Sequence, residues 1–308
     1  MTLASQPATE NVGWISPGIR AMAIGAFWFS IMALLVRLAG RRLGSMEIVL
    51  MRGLMTLALS WWALKQAGIH PWGTQRKLLI FRGALGSMAL LCYFYSLLHL
   101  PLGEAALIQN MNPVFATLLA AYLLHEHLRA PEVVCLVTSL LGVLLIAHPA
   151  PLFGGNAGPV SPIAIVIALG GAFFSGSAYT LVRKMRATEH PLIVVFYLPL
   201  LSVPISLPFA FAGWIWPNVN EWLLLIGIGV TTQLAQVNMT RGLQLERTAR
   251  ATTTGYLQVA FAVVWGAIIL GEIPDVWTLL GATTIIGSTL VLSWWNSRVL
   301  GNDVGVTE

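Results

Sequence analysis

Apolar residues gather along this chain into ten blocks, near 17–37, 46–66, 78–98, 103–125, 131–148, 161–183, 191–213, 219–241, 249–271 and 276–296, each closed by glycine, proline or charge. Every block is close to the roughly 20 residues that cross a bilayer core. Lipid gives backbone N–H and C=O groups no partner, so each block is predicted as a helix. The pattern therefore predicts an all-α membrane protein with ten transmembrane helices.

The blocks repeat at a spacing of 146 residues. Gly25, Ala26, Phe27, Leu35, Val36 and Arg37 recur as Gly171, Ala172, Phe173, Leu181, Val182 and Arg183, without a gap. The same offset pairs Gly83 with Gly229, Ala105 with Ala251, Phe115 with Phe261, Ala116 with Ala262, and Glu126 with Glu272. Five blocks fall in each copy, and an odd number enters the bilayer in opposite senses. The prediction is two inverted five-helix repeats, at 17–150 and 161–296, flanked by cytoplasmic tails at 1–16 and 297–308, with the Gly-rich stretch 154–158 joining them. Many carriers hold their solute at the midplane between such repeats.

Composition agrees. Hydrophobic residues make up 57% and charged residues 9%, against about 25% charged in a soluble domain. The basic balance reflects loop lysines and arginines and gives no reason to expect a nucleic-acid partner. With the N-terminus inside, thirteen Lys and Arg fall on the cytoplasmic side, Arg82 among them; three fall outside, and Arg52 lies within a block. That bias places both termini in the cytoplasm. Residues 1–16 lack the basic and apolar regions of a signal peptide. Cys92 and Cys135 sit within blocks and read as small apolar fillers. Trp61, Trp62, Trp294 and Trp295 at inner ends, and Trp214, Trp216 and Trp222 at outer ends, read as interfacial anchors.

Polar residues inside the blocks are few, and each asks for a partner. The fourth block carries Gln109, Asn110, Asn112 and Pro113. Proline at 113 frees the carbonyl of Gln109. At the repeat offset, Asn112 matches Gln258 and Asn110 matches Tyr256. Amides at equivalent places in two inverted helices would lie near the twofold axis, so Asn112, Gln258 and Gln109 are the leading substrate-binding candidates, or else bonds between neighbouring helices. Gln236, on one face with Gln233 and Thr240, and Tyr179, four residues after Ser175, are further candidates. Trp28 and Trp265 lie near mid-block, where they either pack or wall a cavity for a flat solute. Arg52 either snorkels to the headgroups or meets a substrate carboxylate. Ala116 and Ala120, with Ala262 and Gly266 at the offset, suggest that the fourth and ninth helices pack face to face at a seam. Glu126 and Glu272 end those helices, on the wrong side of the dipole. Each is expected to bond a neighbouring helix N-terminus or a base, as a gate, or to be solvated.

No Asp or Glu lies deep in a block, which argues against a buried carboxylate relay for protons. There is no phosphate-gripping G-x-x-x-x-G-K-[ST] loop, no HExxH, no GxSxG and no Cys/His metal cluster. No cofactor is expected, and no enzyme.

Arg82-Gly83, Tyr93-Phe94-Tyr95-Ser96-Leu97, Leu100 to Ala106, Asn112-Pro113-Val114-Phe115-Ala116 and Leu123-Leu124-His125-Glu126 resemble the third and fourth helices of EamA-type proteins of the drug/metabolite transporter superfamily, and Glu246 to Glu272 resembles the matching stretch of the second half. The resemblance covers about residues 17–296. It implies a multi-pass protein of a bacterial inner membrane that exports a small organic metabolite by alternating access, with an amino acid, aromatic ones included, favoured as cargo. An S-adenosylmethionine or nucleotide-sugar exchanger stays open, as does a membrane enzyme or scaffold. The expected partners are the solute and the bilayer; the oligomeric state is open.

Overall fold

The computed structural model describes residues 15–100, 102–147, 162–211, 214–271 and 275–304. All regular structure among them is helical: α1 Pro17–Ala39, α2 Ser45–Gln66, α3 Arg76–His99, α4 Leu102–Gln109, α5 Asn112–Leu123, α6 Ala130–Ala147, α7 Pro162–Lys184, a 3₁₀ turn Met185–Ala187, α8 Pro191–Phe211, α9 Val219–Leu245, α10 Thr248–Gly255, α11 Leu257–Leu270 and α12 Val276–Val304. Eight helical stretches are long and apolar enough to cross a membrane, and Val276–Leu292 is a shorter apolar helix. Leucines, isoleucines and tryptophans crowd the outer surface, among them Trp61, Trp62, Trp216, Trp294 and Trp295, as a lipid-facing surface requires.

Two expected helices are interrupted. The 103–125 block breaks at Asn110 and Met111 into α4 and α5, and the 249–271 block at Tyr256 into α10 and α11. Pro113 has no N–H to return to Gln109, so the first break is dictated locally. At the second, Gly255 weakens the helix, and the Tyr256 N–H reaches back only three residues, to Thr253 O at 3.1 Å. Tyr256 is Asn110 plus 146, so both breaks fall at one place in the repeat.

The helices pair across the halves rather than within them. The largest interfaces are α1 with α9, α3 with α7, α6 with α12, and α2 with α8. These contacts are reciprocal. A side chain at Gly25 would crowd Met239 N and Ala235 O of α9, and one at Gly171 would touch Tyr93 N and Ala89 O of α3 while striking Cys92. Each pair maps onto the other at the offset of 146. Phe27 meets Phe261 edge-on at 5.7 Å, and Phe173 meets Phe115 edge-on at 5.8 Å. Exchange of this kind is what a twofold relation imposes.

The expected seam is corrected by the same geometry. α5 and α11 share no substantial interface; α5 packs along α7, and α11 along α1. Ala116 and Ala120 are buried, and the bare backbone of Gly176 on α7 lies against Ala116 and Asn112. Gly266 is likewise buried, and Trp265 beside it bonds α1. The small residue Ala116 did mark a close approach, but its partner is Gly176 on the first helix of the other half, not its own repeat equivalent Ala262. Cys92 and Cys135 are free thiols.

Candidate functional site

The two breaks meet. Tyr256, 2% exposed, donates its hydroxyl proton to the carbonyl of Asn110 at 2.7 Å. A residue touching its own repeat equivalent sits on the twofold axis. The other groups freed by the first break are bonded locally: Asn110 Nδ2 donates to Ala106 O at 2.8 Å, and Asn112 Nδ2 donates to Gln109 O at 3.0 Å. In α10, Thr252, Thr253 and Thr254 give their hydroxyl protons to carbonyls four residues back. Backbone exposed by the breaks is thereby kept satisfied at membrane depth, where only buried or cavity-lining irregularity is tolerated.

A cavity of about 70 Å³ opens at this junction. Asn110, Asn112, Tyr179, Tyr256 and Gln258 supply its polar wall, with Thr252; Met22, Phe29 and Met239 supply its apolar wall. The volume is far below the roughly 300 Å³ at which small-molecule pockets begin, so this is a contracted space. Asn112 and Gln258, equivalent at the offset, both border it.

The other sequence candidates lie elsewhere. Gln109 contributes its carbonyl to Asn112 and does not border the cavity. Trp265 turns its N–H to Ser30 Oγ at 2.9 Å and packs on Phe27 at 5.9 Å; Trp28 packs on Phe27 at 5.6 Å. Trp265 therefore fastens α11 to α1, Trp28 packs along its own helix, and neither walls this cavity. Gln236 Oε1 and Thr240 Oγ1 are buried without partners among the described residues, while Gln233 Oε1 accepts from Ser60 across to α2 at 3.0 Å. Arg52 is half-buried on α2 and away from the cavity. Glu272 lies outside the described residues.

Glu126 takes both kinds of partner foreseen for it. Arg183 Nε donates to its Oε1 at 2.9 Å, and Thr248 N donates to its Oε2 at 2.9 Å. It thus joins the end of α5 to α7 and to the start of α10. Beside it lies a cluster the sequence reading missed. Glu132, 1% exposed, holds Arg250 at 2.9 Å and Arg247 at 3.1 Å. Arg250 also reaches Glu246 at 3.9 Å, and Ser16 bonds Glu246. An acidic first turn on α6 and a pair of arginines at the start of α10 were the available signal. Arg82 was also misread. It stands inside α3 and is 2% exposed; it already lay within the 78–98 block and does not belong with the cytoplasmic loop cations.

Comparison with known proteins agrees with this architecture. Residues 16–148 and 162–294 each match the EamA-like transporter family. The chain is 29% identical over 280 residues to the pseudopaline exporter CntI of Pseudomonas aeruginosa, covering 91% of this chain and 96% of that one. It is 29% identical over 245 residues to human solute carrier family 35 member G1, covering 76% and 67%. A riboflavin transporter of Vibrio cholerae is 28% identical over 200 residues, covering 64% of each. A solved crystal structure superposes with a TM-score of 0.79 at 17% identity, over 92% of this chain and 98% of that one, which shows a shared fold. With both copies of the family pattern matched across nearly the whole chain, this multi-pass membrane protein belongs to the EamA-like transporter family.

Proposed function

We propose that the chain is a ten-span carrier of two inverted five-helix repeats that exports a small organic solute, an amino acid by preference, through the cavity at the paired breaks. The observation that carries this reading is the bond between Tyr256 and Asn110 on the axis, with the equivalent amides of Asn112 and Gln258 facing one cavity. Two amides offer donors and acceptors to both ends of a zwitterion. Phe29, Tyr179 and Tyr256 supply the aromatic surface that suits an aromatic side chain. Outward transport is supported by the pseudopaline exporter among the relatives.

The contracted volume fits a carrier between loadings, closed at the end where Glu126, Arg183 and Thr248 meet. The Lys and Arg bias assigns that end to the cytoplasm of a bacterial inner membrane. Glu126 then acts as a latch whose release opens the cavity inward.

The test is counterflow in proteoliposomes with labelled L-phenylalanine, L-glutamate and riboflavin. The purified protein is expected to accelerate exchange of an amino acid, and Asn112→Ala and Gln258→Ala each to slow it about tenfold or more, since each loses a hydrogen bond in a low-dielectric site. Exchange of riboflavin alone would move the cargo assignment to flavins. No accelerated exchange of any of the three would overturn the amino-acid reading.

A further inference from the structure

Arg82 is a buried cation with no ion pair among the described residues. It is 2% exposed, and its Nε and Nη1 have no partner among the described residues. Arginine cannot shed its proton to escape burial. Within a span, a charge in this position pairs or marks a solute pathway. The acid at the foot of α3 is engaged there: Glu189 Oε1 caps the start of the helix through Thr74 N at 2.7 Å and through Gln75 N, and Glu189 Oε2 has no hydrogen-bond partner among the described residues.

The neighbour of Arg82 is the Tyr179 hydroxyl, which lies within its electrostatic reach and beside Ser175. Depths agree. Arg82 is six residues, about 9 Å, from the start of α3, and Tyr179 five residues, about 7.5 Å, from the end of α7, at 1.5 Å per residue. Glu189, just past α7, binds the start of α3, so the two helix ends lie on one side. Tyr179 also borders the axial cavity. Tyr179, on the helix packed along α3, is thus the cavity-lining side chain within electrostatic reach of Arg82.

Packing does not explain the arginine. At the offset of 146 its equivalent is Ile228, fully buried in an apolar cluster with Ala39, Leu43, Ile48 and Leu225. One half fills this place with isoleucine and folds; the other places a charge there at the cost of desolvation.

We propose that Arg82 is the anion-binding group of the pathway, taking a carboxylate or similar monoanion of the solute, with the Tyr179 hydroxyl as its contact to the cavity. The inference rests on the carrier reading for calling that anion cargo. Arg82 replaces Arg52 as the acid's partner, since Arg52 has no such link to the cavity.

The test compares matched acids and amides on the purified full chain by thermal shift: acetate with acetamide, benzoate with benzamide, L-phenylalanine with L-phenylalanine amide. At least one acid is expected to stabilise wild type with about tenfold greater apparent affinity than its amide, the worth of one charge-assisted hydrogen bond. Arg82→Lys keeps a preference, Arg82→Gln abolishes it, and Tyr179→Phe weakens it. Arg82→Ile, which copies the other half, folds with an unliganded thermal midpoint at or above that of wild type and shows no acid preference. The proposal is overturned if no acid outranks its amide in wild type, if the preference survives Arg82→Gln, if Arg52→Gln removes it instead, or if Arg82→Ile lowers the midpoint. Failed counterflow with an intact acid preference would sink the carrier reading and leave the anion site standing.

Discussion

The ends of the two interrupted spans differ more than their breaks do. At the break, one geometry recurs: α4 turns into α5 at Asn110, α10 into α11 at Tyr256, and the two residues touch. At the C-terminal ends, one backbone geometry carries two chemistries. His125 leaves α5 with φ 51°, and its equivalent Gly271 leaves α11 with φ 68°. Beyond His125 comes Glu126, and then the buried Glu132 with Arg247 and Arg250. The offset replaces Glu132, Arg247 and Arg250 by Thr278, Pro101 and Glu104, a set that cannot rebuild the cluster. Duplication fixed where the chain bends; later substitution decided at which end a buried cluster like that of Glu132 can form. A gate that must open from one side under different conditions than from the other needs that inequality.

The sharpest way to break the comparison is to remove Glu132. Losing a buried carboxylate strands two partly buried arginines, which costs about 3–5 kcal/mol. Glu132→Ala is therefore expected to lower the thermal midpoint in detergent by the largest margin of any single change at either end. Thr278→Ala, at the equivalent place, should stay within about 0.5 kcal/mol of wild type. Equal effects would show that the two ends are closed alike and remove the asymmetry.

The next largest effect belongs to the axis. Tyr256→Phe deletes only the hydroxyl and leaves the buried Asn110 carbonyl unsatisfied, a cost of about 1–3 kcal/mol. Because the lost bond joins the two breaks, it should destabilise both halves together, with a single unfolding transition at lower temperature. Asn110→Ala keeps the carbonyl and should cost less. If Tyr256→Phe is neutral, the breaks are independent and the axis is only a coincidence of packing.

Much of this was legible in the sequence because lipid allows so few solutions. Apolar blocks and the 146-residue offset were enough to read an all-helical membrane protein of two repeats, and Pro113 was enough to mark a freed Gln109 carbonyl, though not a break in the helix. The second break was not legible: Gly255 and Tyr256 occur in many uninterrupted helices, and only contact with Asn110 gives them meaning. Partner choice was less legible still. Small residues announce close approach but not which helix approaches, so Ala116 was matched to Ala262 when Gly176 was its neighbour. The tryptophan at 265 was expected either to pack or to wall a cavity, and its N–H found Ser30 on α1. Arg82 was misjudged although it lay within an apolar block, since an arginine near the end of a span counts equally well as a loop cation.

The smallest effect tests the ends at the level of backbone alone. A left-handed conformation is natural for glycine and costs a side-chain-bearing residue about 1 kcal/mol. Gly271 has no such cost; His125, exposed and without glycine's freedom, bears it. The turn at His125 is nevertheless imposed, because the Glu126 N–H closes back onto Ala120 O at 3.3 Å while its carboxylate is held by Arg183 and Thr248. His125→Gly should therefore raise stability, by less than 1 kcal/mol after glycine's larger unfolded-state entropy is subtracted. Gly271→His should lower it by about as much. If the two changes are run in a Glu126→Gln background, the gain at His125 should shrink, since the latch no longer fixes the turn, while the loss at Gly271 should not move. A gain at His125 that ignores Glu126 would mean that the strained turn belongs to the helix end itself and owes nothing to the charge beside it.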